Sequence, residues 1–252
     1  MTQGAKLPGR GVAAHRGGSA THPENTCAAF REAVRLGAHQ IEFDVRRTAD
    51  GEIAVLHDTH VDRTTNGSGA LARLTWPEVR RLDAGRVRGA AFAGERIPSL
   101  REALGAIPRD VWIDVQVKEG EPIAGEVARI LADDGRLDQA FVAGDDAALA
   151  EARSACAGVR VCPLSRQTTR ADYVEHALRL RADFIQFHFL RGFPEPRLVE
   201  RCRDGGLRLN FFCGPRDDVE ELLRAGIDFP LVDDVRAALE AARRVGIPPL
   251  AR

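Results

Sequence analysis

Short β-branched runs alternate with longer amphipathic segments about eight times along the chain, and this rhythm constrains the fold more than any other feature. Parallel strands cannot be joined by a tight turn, and a helix supplies the crossover they need, so the alternation predicts βαβ units around a parallel sheet. The strand candidates are Val12–His15, Gln40–Arg46, Val111–Val117, Ala140–Ala143, Val159–Pro163, Phe184–His188, Leu207–Phe212 and Phe229–Asp233. Between them, segments such as Thr26–Leu36, Ile123–Ala132, Ala147–Cys156, Ala171–Leu180, Arg197–Asp204, Asp217–Arg224 and Val235–Val245 carry apolar residues at helical spacing. The length of 252 residues suits a (β/α)8 TIM barrel, which takes about 250. One stretch breaks the rhythm: over 54–98 an extra strand-like piece, IAVLHD, precedes a Gly-rich polar segment and a short helix around Trp76–Leu82. The expectation is one α/β barrel domain over 10–246, with that stretch inserted between strands two and three.

Composition excludes several function classes. A net charge of -1 offers no basic field to hold a polyanion, which argues against nucleic-acid binding. A hydrophobic content of 44% supports a core and excludes wholesale disorder. No apolar run approaches the roughly 18 residues of a membrane span, and the opening MTQGAKLPGR lacks the apolar middle of a signal peptide. A soluble, cytoplasmic protein is expected. The 5 cysteines, at positions 27, 156, 162, 202 and 213, form no CxxC pair and suggest neither a complete disulfide framework nor a zinc knuckle. Lysine occurs only at positions 6 and 118 in an arginine-rich chain, which draws attention to Lys118.

Two of the strands are polar where strands covered on both sides are ordinarily apolar. In IEFDVRR, period-two alternation puts Glu42, Asp44 and Arg46 on one face, and in WIDVQVK it aligns Asp114, Gln116 and Lys118. An unpaired buried carboxylate is very expensive, so cations must lie close, either Arg46 or Lys118 in an internal ion pair or a bound ligand. The first strand exits in AAHRGG, placing His15 and Arg16 beside glycines that let backbone approach a ligand. PENT follows, where Asn25 or Thr26 reads either as a helix cap or as part of a site. A second histidine, His57, stands in VLHD, and two histidines flanking a carboxylate pair suit general acid and general base work near neutral pH.

These residues resemble the glycerophosphodiester phosphodiesterase family, whose pattern runs HRG, PENT, ExD and DGxxVxxHD. The chain gives AAHRGG, HPENT, IEFDVRRTADGEIAVLHD, HVDRTTNGSG, LDAG and FAGERIPSLREAL in that order. The likeness is near-complete over 11–105 and weaker to about 240. It implies a TIM barrel with a small insertion that uses a divalent metal, Mg2+ or Ca2+, to hydrolyse small glycerophosphodiesters to glycerol phosphate and an alcohol. It makes His15 and His57 the acid/base pair, Arg16 and Lys118 the phosphate-binding cations, and Glu42 and Asp44 metal ligands. It also implies attack by the substrate's own glycerol hydroxyl, through a cyclic phosphate.

The resemblance has two gaps. Where the family has ExK the chain has Gln116 and Lys118, so the third metal ligand is an amide and the metal should bind more weakly. Asp114, about 6–7 Å deeper on the same face, or Glu119 could substitute. Where the family has a substrate-side aromatic on the seventh barrel strand, LRLNFFCG offers Phe211 or Phe212, with plain core burial as the alternative. His188 either reaches the barrel mouth or is structural, and Asp233 is expected to cap a helix. The competing readings are a catalytically impaired phosphodiester-binding barrel and a lysophospholipase D-like enzyme of different specificity, for which RVRGAAFAG offers little apolar entry.

Overall fold

The expected strands reappear within a residue of their sequence-read ends in the computed structural model, which describes residues 6–118, 120–165 and 168–252. In chain order they are β1 (Ala13–His15), β2 (Gln40–Arg47), β3 (Ile53–Val55), β4 (Trp112–Val117), β5 (Ala140–Gly144), β6 (Arg160–Pro163), β7 (Phe184–His188), β8 (Arg208–Phe212) and β9 (Phe229–Val232). The sheet runs β6-β5-β4-β2-β1-β9-β8-β7 with every pair parallel, and β3 alone joins β2 antiparallel. No ladder joins β6 to β7 among the described residues; Asp183 spans that seam, its N–H donating to the Val161 carbonyl at 3.0 Å and its Oδ2 accepting from the Val161 N–H at 3.1 Å. The result is a nearly closed eight-stranded barrel ringed by helices.

Most crossover helices begin at a side chain that accepts one of their first free N–H groups. Thr26 caps α1 (Cys27–Leu36), Asp145 caps α5 (Asp146–Ala155), Thr169 caps α6 (Arg170–Arg179), Asp218 caps α8 (Val219–Arg224) and Asp234 caps α9 (Val235–Arg244). The remaining helices are α2 (Trp76–Val79), α3 (Leu100–Ala106), α4 (Ala124–Asp133) and α7 (Pro196–Asp204). Outward residues of the strands, such as Ile41, Phe43, Val115, Ile185 and Leu209, are buried against these helices in the main core.

Inside the barrel the floor is aromatic. Phe184 stacks on Phe141 with ring centroids 3.8 Å apart, meets Trp112 edge-on at 5.3 Å and lies 6.5 Å from Phe229. This plug closes the N-terminal end of the lumen and leaves polar residues to fill the C-terminal half. The segment after β3 forms a small core of its own around Leu56, Val61, Leu71, Val79 and Ile97. Asp83 fastens its Gly-rich loop by accepting N–H bonds from Gly85, Arg86 and Gly94, each at 2.9 Å.

Candidate active site

The exit of β1 is a tight turn in which Arg16 and Gly17 both take left-handed backbone, with φ of 55° and 82°. A Cβ at Gly17 would meet the Ala29 carbonyl carbon at 2.7 Å, so only glycine fits there. The turn is worth its strain because it aims the Arg16 N–H at Glu42 Oε2, 3.0 Å away. A second left-handed residue, Asn25 (φ 57°), is held by its N–H donating to the Arg16 carbonyl at 3.0 Å. Asn25 is therefore no helix cap; Thr26 is. The Asn25 amide instead donates to Asp44 Oδ2 at 2.8 Å.

Glu42 and Asp44 point into the barrel from β2, with Gln116 in register beside Asp44. Asp44 is the more heavily paired carboxylate. Its Oδ1 accepts from Lys118 Nζ at 2.9 Å, and Arg16 Nε lies 3.3 Å from its Oδ2. Burial pushes its pKa up, but the Lys118 and Arg16 cations outweigh burial and hold it below the usual carboxylate range. Glu42 has no such cation in contact; burial and the Asp44 charge push it up to about 8. Arg46, the other candidate counter-ion, points elsewhere, to the His57 carbonyl at 2.9 Å and Glu121 at 3.0 Å. Lys118 thus neutralises Asp44 rather than Asp114.

The Gln116 amide lies between the two carboxylates, 3.2 Å from Glu42 Oε1 and 3.2 Å from Asp44 Oδ1. With its NH2 turned to them it donates to both. With its carbonyl turned to them, three oxygens converge, an arrangement that a cation, or a proton on Glu42, holds together. Among the described residues no three His, Cys, Asp or Glu side chains gather as a metal would need. The donor set is two carboxylates and an amide, which fits a hard, oxygen-seeking ion that keeps water or substrate in its other positions. Glu119 lies outside the described residues.

Each histidine is backed by a carboxylate. His15 Nδ1 lies 2.7 Å from Asp233 Oδ1, and His57 Nδ1 lies 2.7 Å from Asp58 Oδ1. Neither Nε2 has a hydrogen-bond partner among the described residues. The two environments act in opposite directions. Burial would lower His15, but the Asp233 hydrogen bond and the Glu42 charge more than offset it, so its pKa is raised. At His57 burial prevails over Asp44 and Asp58, and the pKa is lowered. Asp58 is itself held far below the carboxylate range by Arg63, whose Nε donates to it at 2.6 Å. Arg63 also grips Glu24 at 2.7 and 2.8 Å, and Glu24 accepts from Arg16 Nη1 at 2.7 Å. A continuous chain of alternating charge therefore ties the HRG, PENT and HD segments together.

The structure separates alternatives that the sequence left open, and moves two residues from their expected places. Phe212 faces the mouth, its ring 4.6 Å from His15 and 5.1 Å from His188. Phe211 cannot be a substrate-side aromatic: alternation turns it outward into the helix-covered core, where it is 1% exposed. Asp233 does not cap α9, since Asp234 beside it does so and leaves Asp233 for His15 and Ser19. His188 reaches the mouth, its Nδ1 accepting from the Leu190 N–H at 3.1 Å. The roles of Asp58 and Arg63 were not read from sequence, although both stand in motifs, VLHD and HVDRTTNG, that the reading singled out.

The glycerophosphoryl diester phosphodiesterase family model matches residues 15–127, from His15 into α4. A glycerophosphodiester phosphodiesterase of Caldanaerobacter subterraneus is 33% identical over 242 residues, covering 93% of this chain and 98% of that one. The chain belongs to the glycerophosphodiester phosphodiesterase family. Among solved structures of that family, the Agrobacterium tumefaciens enzyme superposes with a TM-score of 0.79 at 27% identity, covering 91% of this chain and 99% of its own. An Oleispira antarctica phosphodiesterase, solved with the product sn-glycerol-3-phosphate, superposes with a TM-score of 0.78 at 25% identity over 94% of this chain and 97% of its own.

Proposed function

We propose that the protein hydrolyses small glycerophosphodiesters to glycerol phosphate and an alcohol, with His57 as general base and His15 as general acid. The observation that carries this reading is the pair of histidines flanking one carboxylate pair, each held on Nδ1 by its own carboxylate, with environments that shift the two rings in opposite directions. Family membership supports the reaction class.

Asp58 and Asp233 fix the Nδ1 side of each ring and leave Nε2 for the substrate. His57, neutral, takes the proton from the glycerol hydroxyl adjacent to the phosphate, and that oxygen bonds to phosphorus. The bond from phosphorus to the alcohol oxygen breaks, and His15 gives that oxygen its proton. In the second half His15 takes a proton from water, the water oxygen opens the cyclic phosphate, and His57 returns its proton to the glycerol oxygen. Each transfer is worth on the order of 10²–10⁴ in rate. Arg16, with Nη2 uncommitted among the described residues, and Lys118 bind the phosphate. Phe212 forms the apolar wall beside His15. Glu42, Asp44 and Gln116 would hold a divalent cation, Mg2+ or Ca2+, which when bound supplies neutralisation of the non-bridging phosphate oxygens.

The test is release of glycerol phosphate from glycerophosphocholine and glycerophosphoethanolamine, with Mg2+, Ca2+ or Mn2+ and with chelator. Turnover stopped by chelator, restored by metal, and lost in His15→Ala and His57→Ala with the fold intact supports the proposal; near-normal turnover in either variant refutes the assigned roles. A second specificity has one observation in its favour: beyond β7, Leu190 is 77% exposed and Phe193 37%, an apolar lip beside the mouth. Faster release of choline from lysophosphatidylcholine micelles than from glycerophosphocholine would make lysophospholipids the preferred substrates.

A further inference from the structure

Beneath the two carboxylates the barrel lumen contains a second polar group of residues that the proposed chemistry does not use. Gln40, Asp114 and Asn210 are 0%, 1% and 0% exposed, and both polar atoms of each side chain lack a hydrogen-bond partner among the described residues. Gln186 Oε1 is in the same condition. All four lie on the inward face of their strands: Asp114 is in register with Glu42, Gln40 with Ala13, and Asn210 with Gln186. Barrel strands step by about one residue each relative to the axis, so inward residues form layers of four from alternate strands. Following the register pairs with that step puts Asp114 and Asn210 opposite each other in one layer, with the small Ala13 and Cys162 between them. Glu42, Ala143, Gln186 and Leu231 form the layer above, and Gln40 with Phe141, Phe184 and Phe229 the floor. Ala13 and Cys162 are the small side chains of the middle layer that holds Asp114 and Asn210.

Five of these atoms are oxygens, two of them the Asp114 carboxylate's, and only the two amide NH2 groups can donate. Oxygen acceptors outnumber donors here, and a cation coordinated by several of them satisfies more of these atoms at once than any hydrogen bond among them. The single carboxylate calls for a single positive charge, because a divalent ion would leave an excess charge in a closed interior. We propose that the barrel interior binds one monovalent metal cation, Na+ or K+, through Asp114 and the amide oxygens of Gln40, Asn210 and Gln186. This site is separate from the divalent site above it and does not depend on the reaction assigned to the protein.

The test follows the thermal midpoint of the full chain in excess chelator, with KCl or NaCl replacing tetramethylammonium chloride at constant ionic strength. A saturable rise of about 3–6 °C is expected at tenfold excess of the preferred cation over its dissociation constant. Asp114→Asn and Asn210→Leu should both lose the rise, the second while keeping the buried charge, so that a folding failure of the first leaves the proposal open to refutation. Broadening of the 23Na resonance by the wild type but not by the variants is the direct counterpart. A midpoint indifferent to the identity of the cation, or a rise that survives in Asn210→Leu, overturns the proposal and leaves Asp114 neutral or hydrated.

Discussion

Replacing Asp233 with Asn removes the charge behind His15 while keeping its shape, and the outcome can be worked from the geometry. The bond is 2.7 Å long, and a hydrogen bond to a charged partner contributes about 1.5–3 kcal/mol. His15 is 13% exposed but Asp233 is 65% exposed, so water competes at the aspartate and the expected loss is nearer 1 kcal/mol. That corresponds to a fall of about 0.7 of a pH unit in the His15 pKa. If His15 is the acid, the alkaline limb of kcat/KM lies above the ordinary histidine value of about 6.5 and moves toward acid by this amount in D233N, while the acid limb set by His57 stays put. The plateau should fall on the order of 10-fold as the ring loses its orientation. Stability carries the same signature. A histidine whose folded pKa is raised contributes stability that is full below about pH 6.5 and is lost as pH rises through the folded value. D233N should therefore melt lower than wild type at pH 5.5 and converge with it near pH 9. Profiles of kcat/KM from pH 5 to 10 on glycerophosphocholine, with melting curves at both ends, decide the matter. An unmoved alkaline limb, or a displaced acid limb, would refute the assignment of His15 as the acid.

The companion variant Asp58→Asn should move the other limb, sending the acid limb lower and leaving the alkaline limb in place, in the same pH series. Lys118→Met strands Asp44, which is 1% exposed, with only Arg16 and Asn25 to hold it; a loss of about 2–3 kcal/mol is expected, below the 3–5 typical of a wholly broken buried pair. Because the Asp44 pKa is depressed in the fold, that stability is present above about pH 4 and fades as pH falls through the folded value, so denaturant titrations at pH 7 and pH 3 should differ in the size of the deficit. Phe184→Ala removes the centre of the aromatic floor and should cost about 3–5 kcal/mol, seen as a fall of about 6–20 °C in the melting midpoint.

The barrel was legible because burial on both sides of a parallel strand leaves a strong signal: outward Ile41, Phe43 and Val115 had to be apolar, and the strands could be bounded by the ends of those runs. The same reasoning exposed the site, since Glu42, Asp44, Gln116 and Lys118 interrupt a pattern that packing alone would not interrupt. Helix α3 escaped the reading even though Ser99 and Glu102 form a reciprocal capping box at its start; seven residues are too few for periodicity to speak. Choices between neighbours were also beyond pattern. Asp233 and Asp234, or Phe211 and Phe212, are alike as residue types, and what separates them is which face the chain turns inward at the strand end. The alternating charges from Arg16 through Glu24 and Arg63 to Asp58 lie in four separate segments, and only the fold brings them together.

The seam between β6 and β7 gives the barrel a preferred place to breathe. Elsewhere neighbouring strands are zipped by repeated backbone bonds, but here the reciprocal bonds of Asp183 and Val161 span the junction. Amide exchange should therefore begin along this line, with Val161 losing protection ahead of Ile113 on β4. A cylinder with one weak stave opens as a hinged sheet, so that transient entry to the polar interior runs sideways between β6 and β7 while the rim on β1 and β2 stays shut.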